Sequence, residues 1–474
     1  MGRTPGVYTG VGVRRAALRA CFLAGPVLGA AGALAPAGCG SDAIGLDPGA
    51  LVGQISQPFD QTPPNAVDLL FVVDDSDGMA EEQAALVRGF PGLVSALRGA
   101  RAGLPSLRVG VVSSNLGAPG SRLTECEQSA RGHLQATPRA PAGGCAAEAS
   151  NGRFLIALEG AARTNYTGDI ADAFACIAPL GTAGCGFEQH LAAARRALDA
   201  DQPLENDGFL RAEALLGLVV VADEDDCSVP VGSDLFEPSQ TRYGPQRSFR
   251  CAEFGHVCGG APPPRAGTST PLLPCRSAES DGKLTPVSEF VRFFQTLKGV
   301  ERVLVHVTAG PAIPYTVRGA LDGAGVVLAP SCDGPGGTSA APAVRLGEFA
   351  NAFGTLGSFA SACDDSTAML TRFGERIAQQ LSASCLSAAP RRRAGGTFDC
   401  AVSERVGAFG QQVAVPACDG ASSARPCWRL AASPDACPSS GYELVIERKT
   451  PAAARTVATL ECLVCSNRTD PTCR

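Results

Sequence analysis

The sequence predicts a mixed α/β protein in which a Rossmann-like, mostly parallel sheet carries helices on both faces. Continuous apolar runs such as "VDLLFVV" and "ALLGLVVVA" are typical of strands buried on both sides, and amphipathic helical patterns alternate with them. The chain has 474 residues, of which 45% are hydrophobic and 18% charged, so it can bury a large core.

The first elements follow a short polar stretch. Val67–Val73 predicts the first strand, and Leu107–Asn115 predicts the second. Between them a helix is expected from about Ala80 to Phe90, where Pro91 would interrupt it because proline cannot donate a backbone hydrogen bond.

Later elements repeat the alternation. A third strand ends at Asp223, Val303–Gly310 is a fourth, and "GVVLAP" predicts a fifth. Thr285 is expected to cap a helix that begins with Pro286. The buried stripe of that helix is Val287, Phe290, Val291, Phe294 and Leu297. Two further helices are predicted from apolar stripes: Phe187, Leu191, Ala194 and Leu198; and Leu370, Phe373, Ile377 and Leu381.

The first 38 residues are predicted to be a signal peptide. A positive segment at 14–19 precedes a weakly apolar stretch at 20–35, and "LAPAGCGS" places small residues before Cys39. This resembles a bacterial lipoprotein signal, which implies lipidation of Cys39. Pro36 departs from the usual pattern, and an ordinary cleaved signal with a chance cysteine is the alternative. Gly40 after the cysteine resembles the class sorted to the outer membrane.

The remaining chain divides into four predicted parts. Residues 39–65 are polar and rich in Pro and Gly, which indicates a flexible tether. The sheet domain is expected over 66–385 and a linker containing "PRRRAGG" over 386–399. Residues 400–474 predict a small, cysteine-rich β module.

Charge argues for an acidic envelope protein. Without residues 1–38 the chain keeps 36 basic residues against 46 acidic ones, a net charge of −10. No basic patch indicates nucleic acid as a partner.

Cysteine usage supports export. Of 20 cysteines, Cys21 lies in the signal and Cys39 would carry lipid, which leaves 18. An even number in an exported chain predicts disulfides, which would hold the long insertions at 116–185 and 224–284. Zinc is the alternative, but the one C-x-x-C, Cys462–Cys465, has no histidine pair at zinc-finger spacing.

Parity predicts how the two folded parts are joined. The sheet domain holds eleven of the 18 cysteines and the tail seven, so full pairing within one chain requires an odd number of bridges across the linker. Cys385 is the expected crossing residue because it lies nearest the tail. Cys126–Cys145 and Cys176–Cys185 are expected as local pairs, although spacing does not fix connectivity.

The segment "VDLLFVVDDSDGMAEEQ" resembles the start of a von Willebrand factor A-type domain. The hallmark of that family is Asp-x-Ser-x-Ser after the first strand, the metal ion-dependent adhesion site (MIDAS). "GCGFEQHL" and "VVVADEDDCS" resemble later blocks of exported bacterial lipoproteins that carry the domain. The resemblance covers about residues 66–385 and implies a divalent cation, Mg²⁺ or else Mn²⁺ or Ca²⁺. The residues it implies as ligands are Asp74, Ser76, Asp223 and, by an approximate match, Thr182.

One position departs from the family pattern. Gly78 stands where the second Ser would be and offers no side-chain oxygen. A water, Asp75 or Asp77 could fill the gap, or the site could be metal-free and its acids could only cap the strand and helix. Glu224, Asp225 and Asp226 are expected to be solvated.

The resemblance implies a non-enzymatic, lipid-anchored envelope protein whose cation accepts a carboxylate from a protein partner. A metal-free scaffold is one alternative and a secreted hydrolase is another. G-x-S-x-G and H-E-x-x-H are absent from the sequence. His190 is expected to be structural, and His306 is expected to be a satisfied residue within its strand.

Overall fold

A computed structural model of the chain describes residues 52–61, 65–100, 103–127, 129–135, 153–158, 161–279, 281–393, 395–407, 410–418, 425–437, 439–450, 452–453 and 455–465. The predicted signal peptide and the predicted lipid attachment at Cys39 lie outside these residues. None of the helices described in these ranges is long and apolar enough to cross a membrane.

The strands are, in chain order, β1 (Val52–Asp60), β2 (Ala66–Val73), β3 (Ser106–Ser113), β4 (Phe154–Leu158), β5 (Arg163–Thr164), β6 (Leu215–Val221), β7 (His256–Cys258), β8 (Cys275–Ser277), β9 (Val303–Ala309), β10 (Val317–Gly319), β11 (Val326–Leu328), β12 (Cys332–Asp333), β13 (Ser339–Ala340), β14 (Gly357–Ser361), β15 (Cys400–Val406), β16 (Val413–Val415), β17 (Cys427–Ala432), β18 (Tyr442–Glu447) and β19 (Thr456–Cys465). The α-helices are α1 (Ala80–Arg98), α2 (Ile170–Ile177), α3 (His190–Leu198), α4 (Phe249–Gly255), α5 (Val287–Lys298), α6 (Val344–Asn351) and α7 (Ser366–Ser382).

The central sheet has the order β14-β9-β6-β2-β3-β4-β5. The pairs from β14 through β3 are parallel, whereas β4 and β5 add an antiparallel edge. Helices α1 and α7 contact β6 together, while α3 contacts β2 and β3 and packs against α5. The predicted fold class, a Rossmann-like and mostly parallel sheet with helices on both faces, is therefore confirmed.

The order of strands creates a topological switch point between β2 and β6. The chain moves from β2 to β3 and β4 on one side, and then returns to β6, β9 and β14 on the other. Both strands at the switch are buried over their full length. Asp68, the one charged residue of β2, is buried and forms an ion pair with Arg211 at 2.7 Å. Ligands of such folds bind at the carboxyl ends of the strands beside the switch.

Three local predictions need correction. Helix α1 continues through Pro91 to Arg98, because its buried face holds it against α7 beyond the missing hydrogen bond. "GVVLAP" supplies β11, half of a short antiparallel ribbon with β10, and the fifth parallel strand of the central sheet is β14 instead. Pro286 occupies the cap position of α5, so the helix begins at Val287 and not at Pro286.

The tail forms a small β module, but that module includes the supposed tether. β1 pairs with β19 along nine residues and completes a sheet of order β1-β19-β15-β16. Phe59 of β1 is buried in the module core with Trp428 and Leu460. The prediction of a flexible tether is therefore wrong for residues 52–60.

The predicted linker also folds onto the module. Leu386 is fully buried, and Pro390 forms a bridge with Val464 of β19. Leu386 N–H donates to the Tyr442 carbonyl oxygen (3.1 Å). The segment after α7 is thus the beginning of the module and not a spacer.

Disulfides confirm the crossing prediction and correct the local ones. Cys385 is bonded to Cys437 across the supposed linker, as parity predicted. Cys126 pairs with Cys185, which excludes both predicted local pairs. The other described bridges are Cys227–Cys251, Cys258–Cys275, Cys332–Cys363, Cys400–Cys462 and Cys418–Cys427.

Candidate functional site

Two acidic residues meet at the switch point. Asp74 follows β2 directly, and Asp223 lies two residues after β6. Asp74 N–H donates to the Val221 carbonyl oxygen at 3.0 Å, so the backbone continues the parallel pairing past the end of β2. The strands therefore deliver both carboxylates to one edge of the sheet, where the sequence predicted a site.

The Asp74 carboxylate is fully buried and has partners on both oxygens. Oδ1 accepts a hydrogen bond from Ser76 N–H at 2.9 Å and another from the Ser114 hydroxyl at 3.4 Å. Oδ2 lies 3.2 Å from Nε2 of His190, which is also fully buried. These contacts fix the orientation of Asp74 and leave further lone pairs on its oxygens.

Gly78 brings the turn after β2 against Asp223. Its φ is +111°, a conformation that residues with a side chain rarely adopt. A Cβ built at this position would lie 2.7 Å from Asp223 Oδ2. Glycine is therefore required for this close approach, and the Asp223 carboxylate occupies the space that a side chain at 78 would need.

Asp223 is short of favourable interactions. Its Oδ1 is buried and has no hydrogen-bond partner among the described residues. Burial, together with the neighbouring charges of Asp74 and Glu224, raises the pKa of Asp223 to about 9. Such a carboxylate needs a proton or a cation.

Other buried carboxyl groups surround this pair. Burial raises the pKa of Glu224 to about 7, and burial with the charge of Glu224 raises the pKa of Glu188 well above its usual range. Glu82 on α1 is also buried, its pKa is raised by burial, and its Oε2 lacks a hydrogen-bond partner within the described chain. His190 pairs with Asp74, but the other carboxyl groups have no such basic partner among the described residues. The cluster therefore has an excess of acids.

Thr182 directly follows Gly181, whose backbone is tied to the site through Gln83. Gln83 on α1 donates both to the carbonyl oxygen of Asp74 and to that of Gly181, each at 2.8 Å. Thr182 itself is exposed, and its hydroxyl has no hydrogen bond in the described part of the chain. Its role as a ligand remains a prediction.

Asp75 and Asp77 differ in placement. Asp75 is 3% exposed, and its Oδ2 accepts a hydrogen bond from the Ser113 hydroxyl at 2.9 Å. Gly184 N–H donates to the Asp75 carbonyl oxygen at 2.6 Å. Asp77 is exposed. Asp75 thus ties the turn to β3 and to the Gly184 loop.

The acidic run after β6 is not solvated as predicted. Asp226 is fully buried, accepts from Leu191 N–H at the start of α3 (2.9 Å), and pairs with Arg345 at 3.0 Å. Asp225 accepts from the backbone N–H of Arg345 (2.7 Å) at the start of α6. Glu224 is partly buried and hydrogen-bonds Ser248. Helix N-termini, with their unpaired N–H groups, explain why two of the acids turn inward.

Sequence reasoning missed several residues of the site. Ser114, Glu82 and Glu188 were not singled out, and His190 was predicted to be structural without its contact to Asp74. Two sequence blocks carried a signal: "GCGFEQHL" contains Glu188 and His190, and "VDLLFVVDDSDGMAEEQ" contains Glu82. His306 is satisfied in its strand as predicted, with Nδ1 lying 3.0 Å from the Ser358 hydroxyl.

The donor set suits a hard divalent cation. Carboxylate and hydroxyl oxygens are the ligands that Mg²⁺, Mn²⁺ and Ca²⁺ prefer, and the buried Asp223 Oδ1 lacks a partner. A group of Cys418, Cys427 and Glu447 elsewhere in the described chain is close enough to hold a metal, but its two cysteines form a disulfide and cannot act as thiolate ligands.

Comparisons add distant structural likenesses. No protein-family model and no curated protein matches the chain. Similar solved structures include the pilus adhesin SpaC from Lactobacillus rhamnosus GG in an open conformation, with 11% identity, 89% of this chain and 42% of that chain covered, and a TM-score of 0.30. A von Willebrand factor type A protein from Catenulispora acidiphila is 9% identical, with 89% of this chain and 68% of that chain covered and a TM-score of 0.28. The human COPII-coat protein Sec24c is 11% identical, with 90% of this chain and 48% of that chain covered and a TM-score of 0.27.

The chain spans less than half of the length of the SpaC and Sec24c chains. At these TM-scores the likenesses carry no argument about function.

Proposed function

We propose that the chain is a cell-envelope binding protein whose switch-point site holds a divalent cation and captures a protein partner through a carboxylate. The observation that carries the proposal is the Asp223 carboxylate, which is partly buried and has one oxygen, Oδ1, out of contact with solvent. Its Oδ1 has no partner in the described chain, and it lies beside Asp74 within a cluster of buried acids. A cation would offset this excess of negative charge.

The residues have distinct parts in the proposal. Asp74 and Asp223 would supply charge, whereas Ser76 and Thr182 would supply neutral oxygens. A bound cation would offer positive charge and an open coordination position to the partner's carboxylate. His190 holds Asp74 in its orientation from the side of α3.

Calorimetry tests the cation. Mn²⁺ or Mg²⁺ titrated into the mature chain is expected to give a saturable heat that Asp74→Ala abolishes. Glu81→Ala is the matched control, because Glu81 is an exposed acid in the first turn of α1 that is not a candidate ligand, and its loss should leave binding within about threefold. If the parent protein gives no cation-dependent heat, this proposal is wrong.

The partner is tested separately. Immobilised protein is incubated with native envelope extract, with and without a chelator, beside the Asp74→Ala variant. Capture that survives both the chelator and the substitution would contradict recognition through a cation.

The envelope location rests on different support. The described disulfides are typical of an oxidising compartment. We propose lipid attachment at Cys39 and an outer-membrane location, which places the partner in or near the envelope. If Cys39→Ser remains membrane-bound to the same extent as the parent, the anchor is wrongly assigned.

A metal-free scaffold is the second candidate. It is favoured by Gly78, which supplies no side-chain oxygen, and by Asp74, both of whose oxygens already have partners. In that case Asp223 would carry a proton in place of a cation, and the calorimetry above would show no heat.

A further inference from the structure

Ser114 lies at the site although it is 40 residues from Asp74 in the sequence. It directly follows β3, the neighbour of β2 in the sheet, and is fully buried. Ser114 N–H donates to the Val73 carbonyl oxygen at 3.1 Å. The parallel pairing of β2 and β3 therefore places Ser114 beside the peptide that leads into Asp74.

The Ser114 hydroxyl shares an acceptor with the turn after β2. Asp74 Oδ1 receives the Ser114 hydroxyl at 3.4 Å and Ser76 N–H at 2.9 Å, so these groups converge on one oxygen. The turn itself supplies a hydroxyl at Ser76 but none at Gly78. A larger residue at 78 would meet Asp223, so the missing oxygen cannot come from that position.

We infer that Ser114 supplies the side-chain oxygen that position 78 lacks, as a cation ligand from the neighbouring strand. The inference rests on the cation site proposed above and deepens it. A hydroxyl is a neutral ligand, so it would complete the coordination without reducing the positive charge that attracts a partner's carboxylate. The Ser114 oxygen keeps its lone pairs while its O–H donates to Asp74, so the same hydroxyl could also hold a cation.

The backbone of Ser114 is held on several sides. Gln189 N–H donates to the Ser114 carbonyl oxygen at 3.0 Å, and the Gln189 side chain donates to the Gly117 carbonyl oxygen at 2.9 Å. The disulfide Cys126–Cys185 joins the segment after this loop to the loop that carries Gly184. A ligand on such a fixed segment is preorganised, which lowers the entropic cost of binding.

Removing a hydroxyl that only orients Asp74 would also weaken cation binding. Loss of affinity alone therefore does not distinguish a direct ligand from a positioning residue. The test therefore replaces Ser114 by Cys and compares a hard ion with a soft one. Thiolates favour soft cations over hard ones, and a direct thiolate–Cd²⁺ bond gives an ultraviolet charge-transfer band. The mature chain is used, after thiol titration has shown one free thiol and no scrambled disulfide.

If Ser114 is a ligand, Ser114→Cys should lose Mn²⁺ affinity by at least about tenfold, gain in its preference for Cd²⁺ by a similar factor, and show the band on adding Cd²⁺. Ser113→Cys is the matched control, because the Ser113 hydroxyl donates to Asp75 and not to Asp74. It should show no band.

Ser114→Thr keeps the hydroxyl and should retain Mn²⁺ affinity within about threefold. Ser114→Val has nearly the shape of the Thr variant but no hydroxyl, and it should lose that affinity. Equal loss for both ions and no band with Ser114→Cys would overturn the ligand role while leaving the cation site intact. No cation-dependent heat in the parent would instead overturn the proposed function itself.

Discussion

Gly78 shapes the geometry of the site. A serine at this position would offer a hydroxyl, yet the backbone has a φ of +111° and passes close to Asp223. Gly78 therefore does more than leave the site without a side-chain oxygen. It allows the second acid of the switch point to approach the turn, which a side chain would prevent.

Placing a serine at position 78 should not improve the site. Gly78→Ser is expected to destabilise the fold by about 1–3 kcal/mol from backbone conformation alone, with a further loss from the contact with Asp223. It should also weaken Mn²⁺ binding. Urea unfolding and calorimetry measure both quantities.

Gly208→Ser is the control for backbone conformation, because Gly208 has a φ of +79° and open space where its Cβ would lie. If Gly78→Ser costs no more stability than Gly208→Ser, or tightens Mn²⁺ binding, the steric argument fails.

His306 is a second residue whose surroundings decide its chemistry. It is 2% exposed on β9, and burial lowers its pKa to about 4, with the charges of Arg376 and Arg372 acting in the same direction. Its ring contacts the hydroxyls of Ser358 (3.0 Å) and Thr308 (3.2 Å), which satisfy the neutral form. The folded protein therefore favours the uncharged imidazole.

This shift predicts a pH dependence of stability. Between the unfolded pKa of about 6.5 and the folded value of about 4, the unfolded chain binds a proton that the folded chain does not. Stability should therefore fall as the pH decreases through this range, by about 3 kcal/mol in total from His306.

Comparison with His306→Gln isolates this contribution, because other groups titrate in both proteins. Urea unfolding at pH 4.5 and pH 7 should give a smaller difference for the variant. An equal difference in the two proteins would show that His306 does not cause the dependence.

The elements around the site are joined by the acidic run that follows β6. Asp226 contacts the N-terminus of α3 and, through Arg345, the start of α6, while Asp225 accepts from the first backbone N–H groups of α6. One loop thus holds two helices in place against the same end of the sheet. Neither Asp225 nor Asp226 contacts Asp74 in the described structure. A substitution of either acid should therefore affect the site by shifting α3 or α6.

Asp226→Ala is expected to cost about 1–3 kcal/mol, because it leaves Leu191 N–H without its acceptor and removes one of the two carboxylates, Asp226 and Glu279, that pair with the buried guanidinium of Arg345. Asp77→Ala, which removes an exposed acid, should stay within about 0.5 kcal/mol of the parent. Chemical denaturation compares the two. Similar effects from both substitutions would mean that the Asp226–Arg345 pair contributes little.

The whole molecule is joined at both ends of the sheet domain. β1 precedes that domain but pairs with β19 near the end of the described chain. Cys385–Cys437 holds the exit of α7 to the same module, and Thr355 donates to the Asp435 carbonyl oxygen (2.9 Å) beside β14. The module is therefore assembled from both ends of the sequence around the sheet domain.

Phe59 tests this assembly. Phe59→Ala is expected to destabilise the module by about 3 kcal/mol, because the ring is buried against the core of the sheet that contains β19. Hydrogen exchange of β19 amides should accelerate while that of β2 amides stays unchanged. Gln54→Ala, at an exposed position of the same strand, is the control. Equal exchange in both variants would indicate a tether and not a strand.

The sequence by itself determined the class of fold, the acids at the ends of two strands, and the disulfide that crosses between the two parts. These follow from apolar periodicity, from residues adjacent to strand ends, and from cysteine parity, all of which are visible along the chain. Tertiary structure alone decided the remaining contacts at the site. Ser114 and His190 reach Asp74 from 40 and 116 residues away, and β1 pairs with a strand more than 390 residues later. Strand register and helix packing bring such groups together, and the local apolar period shows which face of an element is buried but not which distant segment packs against it.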